Sequence, residues 1–374
     1  MKLKRKLAAF LTGTMLLSTM SAMTVTAGAA NYSDTAGHWA ESAVDRWSGY
    51  GIVQGSGGAF RPNASMTRAE MATVLSKLLG LTDKASNSFA DVSSGAWYAD
   101  AVLKCAAAGI LKGDGTGANP NGTITREEAA VMMGRALAVE ETTGSLSFAD
   151  GAQVSGWAKG YVKAMSDKGI VNGVGSNRFA PAQNIDRASV VTILDRTITG
   201  YANTAGATVE AKNAGLTLVA APDVTVTGAA ADVLVAAGAA SGTVTLSGAS
   251  VSGAVTVQAK ADVALTGNAS VGAVELTDAA AGATLTVGAG AKAGTVSVGA
   301  EKAKVEVAGT VTDVTIDAAN VAVTAQKGGT IDTVTTTAKG TTVAGEGTVK
   351  TVKTSDKNDT KVTTKNTKVE QVGS

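Results

Sequence analysis

The sequence Thr67-Arg68-Ala69-Glu70 recurs twice further along the chain in altered form, as Thr125-Arg126-Glu127-Glu128 and as Asp186-Arg187-Ala188-Ser189. The three arginines lie 58 and 61 residues apart, and each copy stands directly before an apolar stretch. Self-similarity at such a period predicts a repeat architecture, in which each copy is a structural unit that cannot bury its apolar face alone. The repeat therefore decides the fold of this part of the chain.

Four further landmarks recur in the same order within each copy. They are an aspartate (Asp34, Asp91 and Asp150), a tryptophan (Trp39, Trp97 and Trp157), a Gly-Ile turn that ends in glycine (Gly55, Gly113 and Gly173) and a proline (Pro62, Pro120 and Pro181). Equivalent landmarks are 57 to 61 residues apart. Their agreement in order and spacing indicates three tandem copies between residues 32 and about 198.

Each copy is predicted to fold as a helix, a loop and a second helix. In the first copy, Trp39, Ala43, Val44 and Trp47 have helical spacing and would form one apolar face. A second apolar stripe follows Thr67. Two short helices bury too little surface alone, whereas three pairs around a shared axis can share one core. We therefore expect one compact, mainly α-helical domain.

The start of each second helix carries capping signals. Thr67 with Glu70, and Thr125 with Glu128, match the capping box. In this motif the hydroxyl accepts from the N3 amide and the carboxylate accepts from the N-cap amide. Asp186 can cap the third helix by itself, since Ser189 replaces the glutamate there.

The repeated arginines fall in the first turn of these helices, where positive charge opposes the helix dipole. They are Arg68, Arg126 and Arg187. Such a position is favourable only if each guanidinium meets an anion, and a guanidinium fork at a helix N-terminus suits carboxylate or phosphate. The anion would be either a bound ligand or the aspartate of a repeat, Asp34, Asp91 or Asp150.

These repeats resemble three tandem S-layer homology modules, the cell-wall anchoring units of bacterial surface proteins. The resemblance covers residues 32 to about 198 and rests on five motifs in order: aromatic-x-Asp, Trp, Gly-Ile-x-x-Gly, Phe-x-Pro and Thr-Arg-Ala-Glu. It implies a pseudo-threefold domain that binds secondary cell-wall polysaccharide non-covalently. The ligand is commonly a pyruvylated sugar held in grooves between modules, so the ketal carboxylate would be the anion that the arginines require.

The resemblance also implies which residues would contact the polysaccharide. They are the motif arginines, the tryptophans as platforms for a sugar face, and the glycines that let a ligand approach the backbone: Arg68, Arg126, Arg187, Trp39, Trp97, Trp157, Gly55, Gly113 and Gly173. For the tryptophans, a place in the core of the first helix is the alternative.

Some positions depart from the family pattern. Glu127 stands where alanine is usual, and Ala118 replaces the phenylalanine of the Phe-x-Pro step in the second copy. The third copy has Asp186 and Ser189 for Thr and Glu, which adds a negative charge and removes the reciprocal cap. We therefore expect binding in the grooves that use Arg68 and Arg126, and not in the one that depends on Arg187.

The second half of the chain has a different composition. Every Phe, Tyr and Trp lies at or before Tyr201, and beyond it short Val-x-Val units begin every 7 to 11 residues. Alternation with period two puts the aliphatic side chains on one face of a strand. So short a spacing predicts an all-β solenoid with two or three strands to each coil. A β-sandwich is the alternative, although it usually needs larger core residues.

The N-terminus has the features of a secretion signal. Lys2, Lys4, Arg5 and Lys6 precede a mostly apolar stretch, and Ala27-Gly28-Ala29 supplies a small-x-small cleavage pattern. We expect cleavage near Ala29 or Ala30. No other stretch is long and apolar enough to span a bilayer, so we expect no membrane span after cleavage.

Net charge and single reactive residues limit the chemistry. A formal net charge of +1 argues against a nucleic-acid partner. Cys105, the only cysteine, lies in an apolar helical run, and His38 has no second histidine with which to bind a metal. The aspartates of the second half are scattered at predicted turns. We expect no cofactor, no metal and no catalysis.

The sequence therefore divides into a signal peptide (1–30), three modules (31–82, 88–140 and 147–200), a β-solenoid-like region (205–349) and a Lys/Thr-rich cap or tail (350–374). The expected function is non-covalent anchoring of an exported protein to anionic wall polysaccharide, with the β region as a surface scaffold. A wall-anchored polysaccharide-degrading β-helix enzyme and an adhesin are the alternatives. Self-association through the β region is a further possible property.

Overall fold

A computed structural model of the chain describes residues 32–113, 115, 117–212, 215–356 and 358–372. The predicted signal peptide and its cleavage site lie outside these residues. Within the described part of the chain, no helix is long and apolar enough to cross a membrane. The described residues fold into a helical half that continues directly into a β half.

Six α-helices, two in each repeat, form the helical half. They are α1 (Glu41–Gly49), α2 (Arg68–Leu79), α3 (Ala99–Ala107), α4 (Arg126–Ala136), α5 (Gly156–Asp167) and α6 (Arg187–Thr197). The second helix of each repeat packs against the first helix of the next, α2 on α3, α4 on α5 and α6 on α1. This cyclic order confirms the compact three-repeat domain that the sequence predicts.

Three backbone segments meet in a closed ring at the pseudo-threefold axis. The Met66 amide donates to the Ile185 carbonyl at 3.0 Å, the Ile185 amide to the Ile124 carbonyl at 3.0 Å, and the Ile124 amide to the Met66 carbonyl at 2.9 Å. All three side chains are buried. Each residue directly precedes the N-cap of α2, α4 or α6, so the ring fixes where these helices begin.

The repeated aspartates hold the loops of their own repeats. Asp34 accepts hydrogen bonds from the amides of Phe60 and Arg61 at 2.8 and 2.7 Å. Asp91 and Asp150 bind the equivalent two amides of their own loops in the same way, each at 2.8 Å. The second donor in each loop has a positive φ, 60° at Arg61, which costs energy in a non-glycine residue. The carboxylate stabilises this turn.

The hypothesis that these aspartates are the internal partners of the motif arginines is wrong. Among the described residues, the ion pair that involves one of them joins Asp150 to Arg178, at 3.6 Å.

The β half is a parallel β-solenoid of about nine turns, as the sequence predicts. Its strands are β1 (Ile198–Ala202), β2 (Thr208–Ala211), β3 (Leu216–Val219), β4 (Thr225–Ala230), β5 (Asp232–Val235), β6 (Thr243–Ser247), β7 (Ser250–Val257), β8 (Asp262–Thr266), β9 (Ser270–Leu276), β10 (Thr284–Val287), β11 (Lys292–Val298), β12 (Lys304–Val307), β13 (Thr310–Ile316), β14 (Ala322–Ala325), β15 (Thr330–Thr336), β16 (Thr341–Ala344), β17 (Thr348–Thr354), β18 (Thr360–Val362) and β19 (Lys368–Gln371). Odd-numbered strands form one parallel sheet and even-numbered strands the other, with an additional pairing of β4 and β7. Each coil therefore has two strands.

Identical small side chains stack through the solenoid core. One ladder consists of Val233, Val255, Val274, Val296, Val314, Val334 and Val352, each paired with the next in register. All seven are buried. Parallel strands lie about 4.8 Å apart, so each valine contacts its equivalents in the coils above and below. The β-sandwich alternative is wrong.

The last coils continue the solenoid. β17 pairs with β19 in the same parallel register, up to Gln371. Thr336 and Thr354 occupy the position equivalent to Ile316 in the next two coils of the same sheet. Their buried hydroxyls are hydrogen-bonded, Thr336 to Thr341 at 3.0 Å and Thr354 to Thr360 at 2.8 Å. In its described residues, the Lys/Thr-rich segment is therefore part of the solenoid and not a disordered tail.

The helical half and the first coils of the solenoid share one apolar cluster, and the rest of the solenoid core forms a second one. Helix α6 passes directly into β1 at Ile198, before the expected boundary at residue 205. Leu218, Leu234 and Ala236 of the first coils are buried in the same apolar cluster as the helices.

Two close contacts fix this junction. The Tyr201 hydroxyl donates to the Leu78 carbonyl at 2.9 Å. Gly80, the left-handed C-cap of α2, lies so near Gly238 that a Cβ on Gly80 would come within 2.7 Å of the Gly238 Cα.

Replacing Val314 by alanine removes two methyl groups from the middle of the valine ladder. We expect the free energy of unfolding to fall by about 2 kcal/mol, since the neighbouring coils are too tightly stacked to fill the cavity. Thr315→Ala is the matched control, because Thr315 is the next residue on the exposed face of the same strand. Urea denaturation measures both, and equal losses for the two variants would contradict the stacked-core account.

Candidate anion-binding grooves between the repeats

Helices α2, α4 and α6 begin with side-chain caps at the predicted residues. Glu70 N donates to Thr67 Oγ1 at 3.2 Å, and Thr67 N donates to Glu70 Oε2 at 2.7 Å. Thr125 and Glu128 form the same capping box. Asp186 caps α6 alone, accepting from Ser189 N at 2.6 Å.

The first-turn amides of these helices are already occupied by carbonyl groups of the next repeat. Arg68 N and Ala69 N donate to the carbonyls of Gly122 and Pro120, at 3.0 and 2.9 Å. The equivalent amides of α4 bind carbonyls in the third repeat, and those of α6 bind carbonyls in the first. With the third amide bound by the cap, the helix ends have no free amide there for an anion. A ligand anion would therefore have to bind the arginine side chains.

Each motif arginine reaches into the next repeat and holds its loop through two backbone carbonyls. The Nε and Nη2 acceptors are Ala118 and Lys112 for Arg68, Phe179 and Asn172 for Arg126, and Phe60 and Gln54 for Arg187, at 2.8 to 3.2 Å. These bonds connect repeat one to two, two to three and three to one. The arginines thus link the modules as well as line the grooves.

The third nitrogen, Nη1, distinguishes the three arginines. Arg68 Nη1 lies 3.0 Å from Glu128 Oε1, and Arg187 Nη1 lies 3.4 Å from Glu70 Oε1. The position equivalent to these glutamates in the third repeat is Ser189. Across the described residues, Arg126 has no carboxylate partner within ion-pair distance.

Partial burial affects the charge of two of these side chains. Burial lowers the pKa of Arg126, and the nearby Asp186 and Asp150 oppose this change. Burial likewise lowers the pKa of Arg187, opposed chiefly by Glu70. Each guanidinium also lies over an aromatic ring, Arg126 5.1 Å from Phe179 and Arg187 4.5 Å from Phe60. Both remain cations at neutral pH, so partners that compensate their charge are favoured.

A groove of about 520 Å³ lies beside Arg68 and is built from all three repeats. The first repeat contributes Arg68, and the third contributes Trp157. The second repeat contributes loop residues and one face of α4: Lys112, Gly113, Gly117, Ala118, Asn119, Glu128, Val131, Met132 and Arg135. Three cationic side chains and one carboxylate thus surround an apolar floor that is formed by Val131 and Met132.

The three motif tryptophans are on the surface. Trp39, Trp97 and Trp157 are 64%, 68% and 54% exposed, so the alternative that they form the core of the first helices is wrong. The expected apolar face of α1 contains Ala43, Val44 and Trp47 but not Trp39, which precedes the helix. Trp157 lines the Arg68 groove although it belongs to the third repeat. The sequence predicted that the arginine and tryptophan of one repeat act together. In the structure, the arginine of the first repeat shares its groove with the tryptophan of the third.

The three candidate glycines are needed by contacts within their own repeats. A Cβ on Gly55 would come within 2.3 Å of the Ala59 carbonyl oxygen. The corresponding distances are 2.4 Å to the Gly117 oxygen for Gly113 and 2.7 Å to the Arg178 oxygen for Gly173. Gly113 also lines the Arg68 groove.

Glu127 has a structural purpose in its repeat. Its buried carboxylate accepts hydrogen bonds from the Ser155 amide and hydroxyl, both at 2.9 Å. Ser155 is the N-cap residue of α5, and Trp157 lies in the first turn of that helix. Glu127 therefore fixes the helix end that carries the groove tryptophan.

The other reactive side chains are held in structural contacts. Cys105 is buried, its thiol donates to the Ala72 carbonyl at 3.2 Å, and burial raises its pKa to about 12. His38 Nε2 lies 3.4 Å from Asn63 Oδ1. Among the described residues, no group of three or more His, Cys, Asp or Glu side chains could hold a metal ion.

Sequence reasoning missed Lys112 and Arg135 in the groove and Glu128 as the ion-pair partner of Arg68. Arg135 has basic counterparts in the other repeats, Lys77 and Arg196, and this repetition was an available signal. Glu128 was assigned only to its capping box, but its second oxygen binds Arg68.

Comparison with known proteins agrees with this architecture. A family model described as the S-layer homology domain matches residues 31–72, 88–130 and 147–191. The helical half thus consists of three tandem S-layer homology domains.

Similar proteins match mainly over this half. An amylopullulanase of Thermoanaerobacterium thermosulfurigenes is 37% identical over 44% of this chain and 9% of its own length. The S-layer protein sap of Bacillus anthracis is 30% identical over 52% of this chain and 24% of its own length. A cellulosome-anchoring protein of Acetivibrio thermocellus is 29% identical over 38% and 34%. The chain thus spans about a third or less of each relative. The domains and these relatives indicate an exported protein of the cell wall or cell surface.

Glu127→Ala restores the alanine found at the equivalent positions of the other repeats, Ala69 and Ala188. We expect it to lower the free energy of unfolding by about 1–3 kcal/mol, because the Ser155 amide loses its acceptor. Glu127→Gln should recover most of this loss, since its amide can still accept from Ser155. Glu140→Ala, at an exposed position, is the control. Thermal denaturation compares the four proteins, and a neutral Glu127→Ala would contradict the assignment.

The loop aspartates predict how stability depends on pH. Burial alone raises the pKa of Asp150, but hydrogen bonds from the Phe179 and Ala180 amides outweigh it and hold the pKa below its ordinary value of 3.8. For a carboxyl group whose pKa is depressed on folding, the stabilisation is present above the unfolded pKa and is lost as the pH falls through the folded pKa. We therefore expect the melting temperature to fall below about pH 4.

Asp150→Asn tests this expectation. It should lower the melting temperature at pH 7, because an amide accepts these two hydrogen bonds less well, and should make the decline below pH 4 shallower. Asp83→Asn alters an exposed carboxylate and should keep the parental curve. A decline as steep in Asp150→Asn as in the parent would contradict the prediction.

Proposed function

We propose that this chain is a non-enzymatic surface protein whose three S-layer homology domains anchor it non-covalently to an anionic cell-wall polysaccharide. The observation that carries the proposal is the groove beside Arg68, where three cations, one exposed tryptophan and an apolar floor come together from three repeats. The names of the S-layer and cellulosome-anchoring relatives support the same function.

The groove has groups suited to a charged sugar. Trp157 offers a flat apolar face on which a sugar ring can stack, and Lys112 and Arg135 add positive charge around it. Arg68 can offer a carboxylate the guanidinium edge that now faces Glu128. A pyruvate ketal fits this set because it puts a carboxylate directly on a sugar ring. We propose such a substituent as the ligand group.

We propose that the solenoid is a structural scaffold. Its own apolar core extends from the first coil to the last described coils. Three of the aspartates predicted to lie at turns bind the next coil through its backbone: Asp223 accepts from Thr243 N at 3.1 Å, Asp232 from Ala254 N at 2.9 Å and Asp262 from Thr284 N at 2.7 Å. A role in holding coils together accounts for these carboxylates without the catalytic cluster that a polysaccharide-degrading enzyme needs.

Sedimentation with cell walls tests the anchor. The whole mature chain is mixed with walls that retain their polysaccharide and with walls from which it has been removed chemically. We expect binding only to the former, and several-fold weaker binding for Trp157→Ala, because stacking is lost at the Arg68 groove while the sites beside Arg126 and Arg187 remain. Lys292→Ala, an exposed solenoid position, is the control.

Arg68→Ala also removes a link between repeats, so Arg68→Lys is measured beside it. Lysine keeps the charge but cannot form the fork. We expect weaker binding by both variants with near-UV circular dichroism unchanged in Arg68→Lys. Equal binding of the parent to both kinds of wall would overturn the proposed anchoring function.

A further inference from the structure

The three motif-arginine sites differ at the residue that faces the arginine of the preceding repeat. Glu128 faces Arg68 and Glu70 faces Arg187, each with a carboxylate oxygen on Nη1. Ser189 is the equivalent residue for Arg126. The replacement of glutamate by Ser189 in the third repeat thus alters the surroundings of Arg126, which belongs to the second repeat. It does not alter those of Arg187.

Arg126 is nevertheless oriented by the same two kinds of backbone contact as the other two arginines. Its Nε and Nη2 donate to the carbonyls of Phe179 and Asn172, both at 2.8 Å. The two nearest carboxylates have other partners, since Asp186 accepts from Ser189 N and Asp150 accepts from the Phe179 and Ala180 amides. The guanidinium is therefore oriented by neutral carbonyls, and within the described part of the chain no carboxylate pairs with it.

Two groups of the Arg68 groove have equivalents around Arg126, whereas Lys112 is replaced there by the neutral Asn172. Helix α6 packs against α1 as α4 packs against α5, so the pseudo-threefold relation puts Trp39 where Trp157 stands in the Arg68 groove. Arg196 is equivalent to Arg135. When the Asn172 amide is oriented so that both its oxygen and its nitrogen are hydrogen-bonded, the Asn172 oxygen accepts from Arg196 Nη1 at 2.6 Å. A tryptophan and a second cation are thus available here too.

We propose that Ser189 makes the Arg126 groove the principal site for a carboxylate-bearing sugar, and that Glu70 and Glu128 act as built-in competitors in the other two grooves. This inference rests on the proposed function. A ligand carboxylate that approaches Arg68 or Arg187 must displace Glu128 or Glu70 or bind beside it. Two carboxylates that bind the same guanidinium repel each other. At Arg126 the ligand carboxylate forms the ion pair that Glu128 forms with Arg68 and Glu70 forms with Arg187.

The test places the missing carboxylate into the groove. The probe is a methyl glycoside that carries a 4,6-linked pyruvate ketal, titrated calorimetrically into the whole chain, with the same glycoside without the ketal as a blank. Ser189→Glu should weaken the strongest binding step by about tenfold, a modest effect for a charge pair that closes a binding site. Ser189→Gln, of the same size but neutral, should bind like the parent.

The reciprocal variant removes a competitor. Glu128→Gln keeps the capping box, because glutamine serves at that position, and should strengthen binding at the Arg68 groove by several-fold. Melting temperatures near the parental value verify that all three variants are folded.

The possible failures can be distinguished. If the parent binds neither the ketal glycoside nor cell walls, the proposed anchoring function fails. If the parent binds but Ser189→Glu and Ser189→Gln have the same affinity, the anchor stands and the role of Ser189 is overturned. Weakened binding in Ser189→Glu alone supports the inference.

Discussion

The closed ring of backbone hydrogen bonds among Met66, Ile124 and Ile185 is the constraint on which the helical half depends. Each segment both donates and accepts, so no repeat can complete its own hydrogen bonds without the other two. The ring sets the positions of the three N-caps, and the first-turn amides that follow bind the next repeat. Because buried backbone groups must be paired, one repeat alone would leave these groups unsatisfied.

This cyclic exchange decides where the candidate site residues meet. An arginine of one repeat faces the loop and capping glutamate of the next, while the tryptophan comes from the repeat after that, as Arg68, Glu128 and Trp157 do. A substitution in one repeat therefore changes the surroundings of an arginine that belongs to another repeat. Ser189 is the clearest case, since its effect falls on Arg126, in a different repeat.

Much of the fold could be predicted because it depends on residues that are close together in the sequence. Capping pairs such as Thr67 and Glu70 lie three residues apart, and valine alternation marks each strand. The composition of the grooves could not be predicted, because it depends on which repeat follows which around the axis. Trp39 was assigned to an apolar helical face by spacing alone, but α1 begins at Glu41. Helical periodicity therefore does not apply to Trp39, and its ring faces solvent.

The two halves bury apolar surface in different ways, and they meet at a junction where residues of both are packed together. The helical half uses large side chains, whereas the solenoid stacks small identical ones. β1 is the first strand of the odd-numbered sheet, and its free edge would be a site for edge-to-edge association if exposed. Tyr201 of β1 packs against Trp47 and Tyr50 of the first repeat, with ring centroids 5.4 and 4.9 Å apart. The helical domain thus covers this edge of the solenoid, and the two halves are joined through a shared apolar cluster instead of a flexible linker.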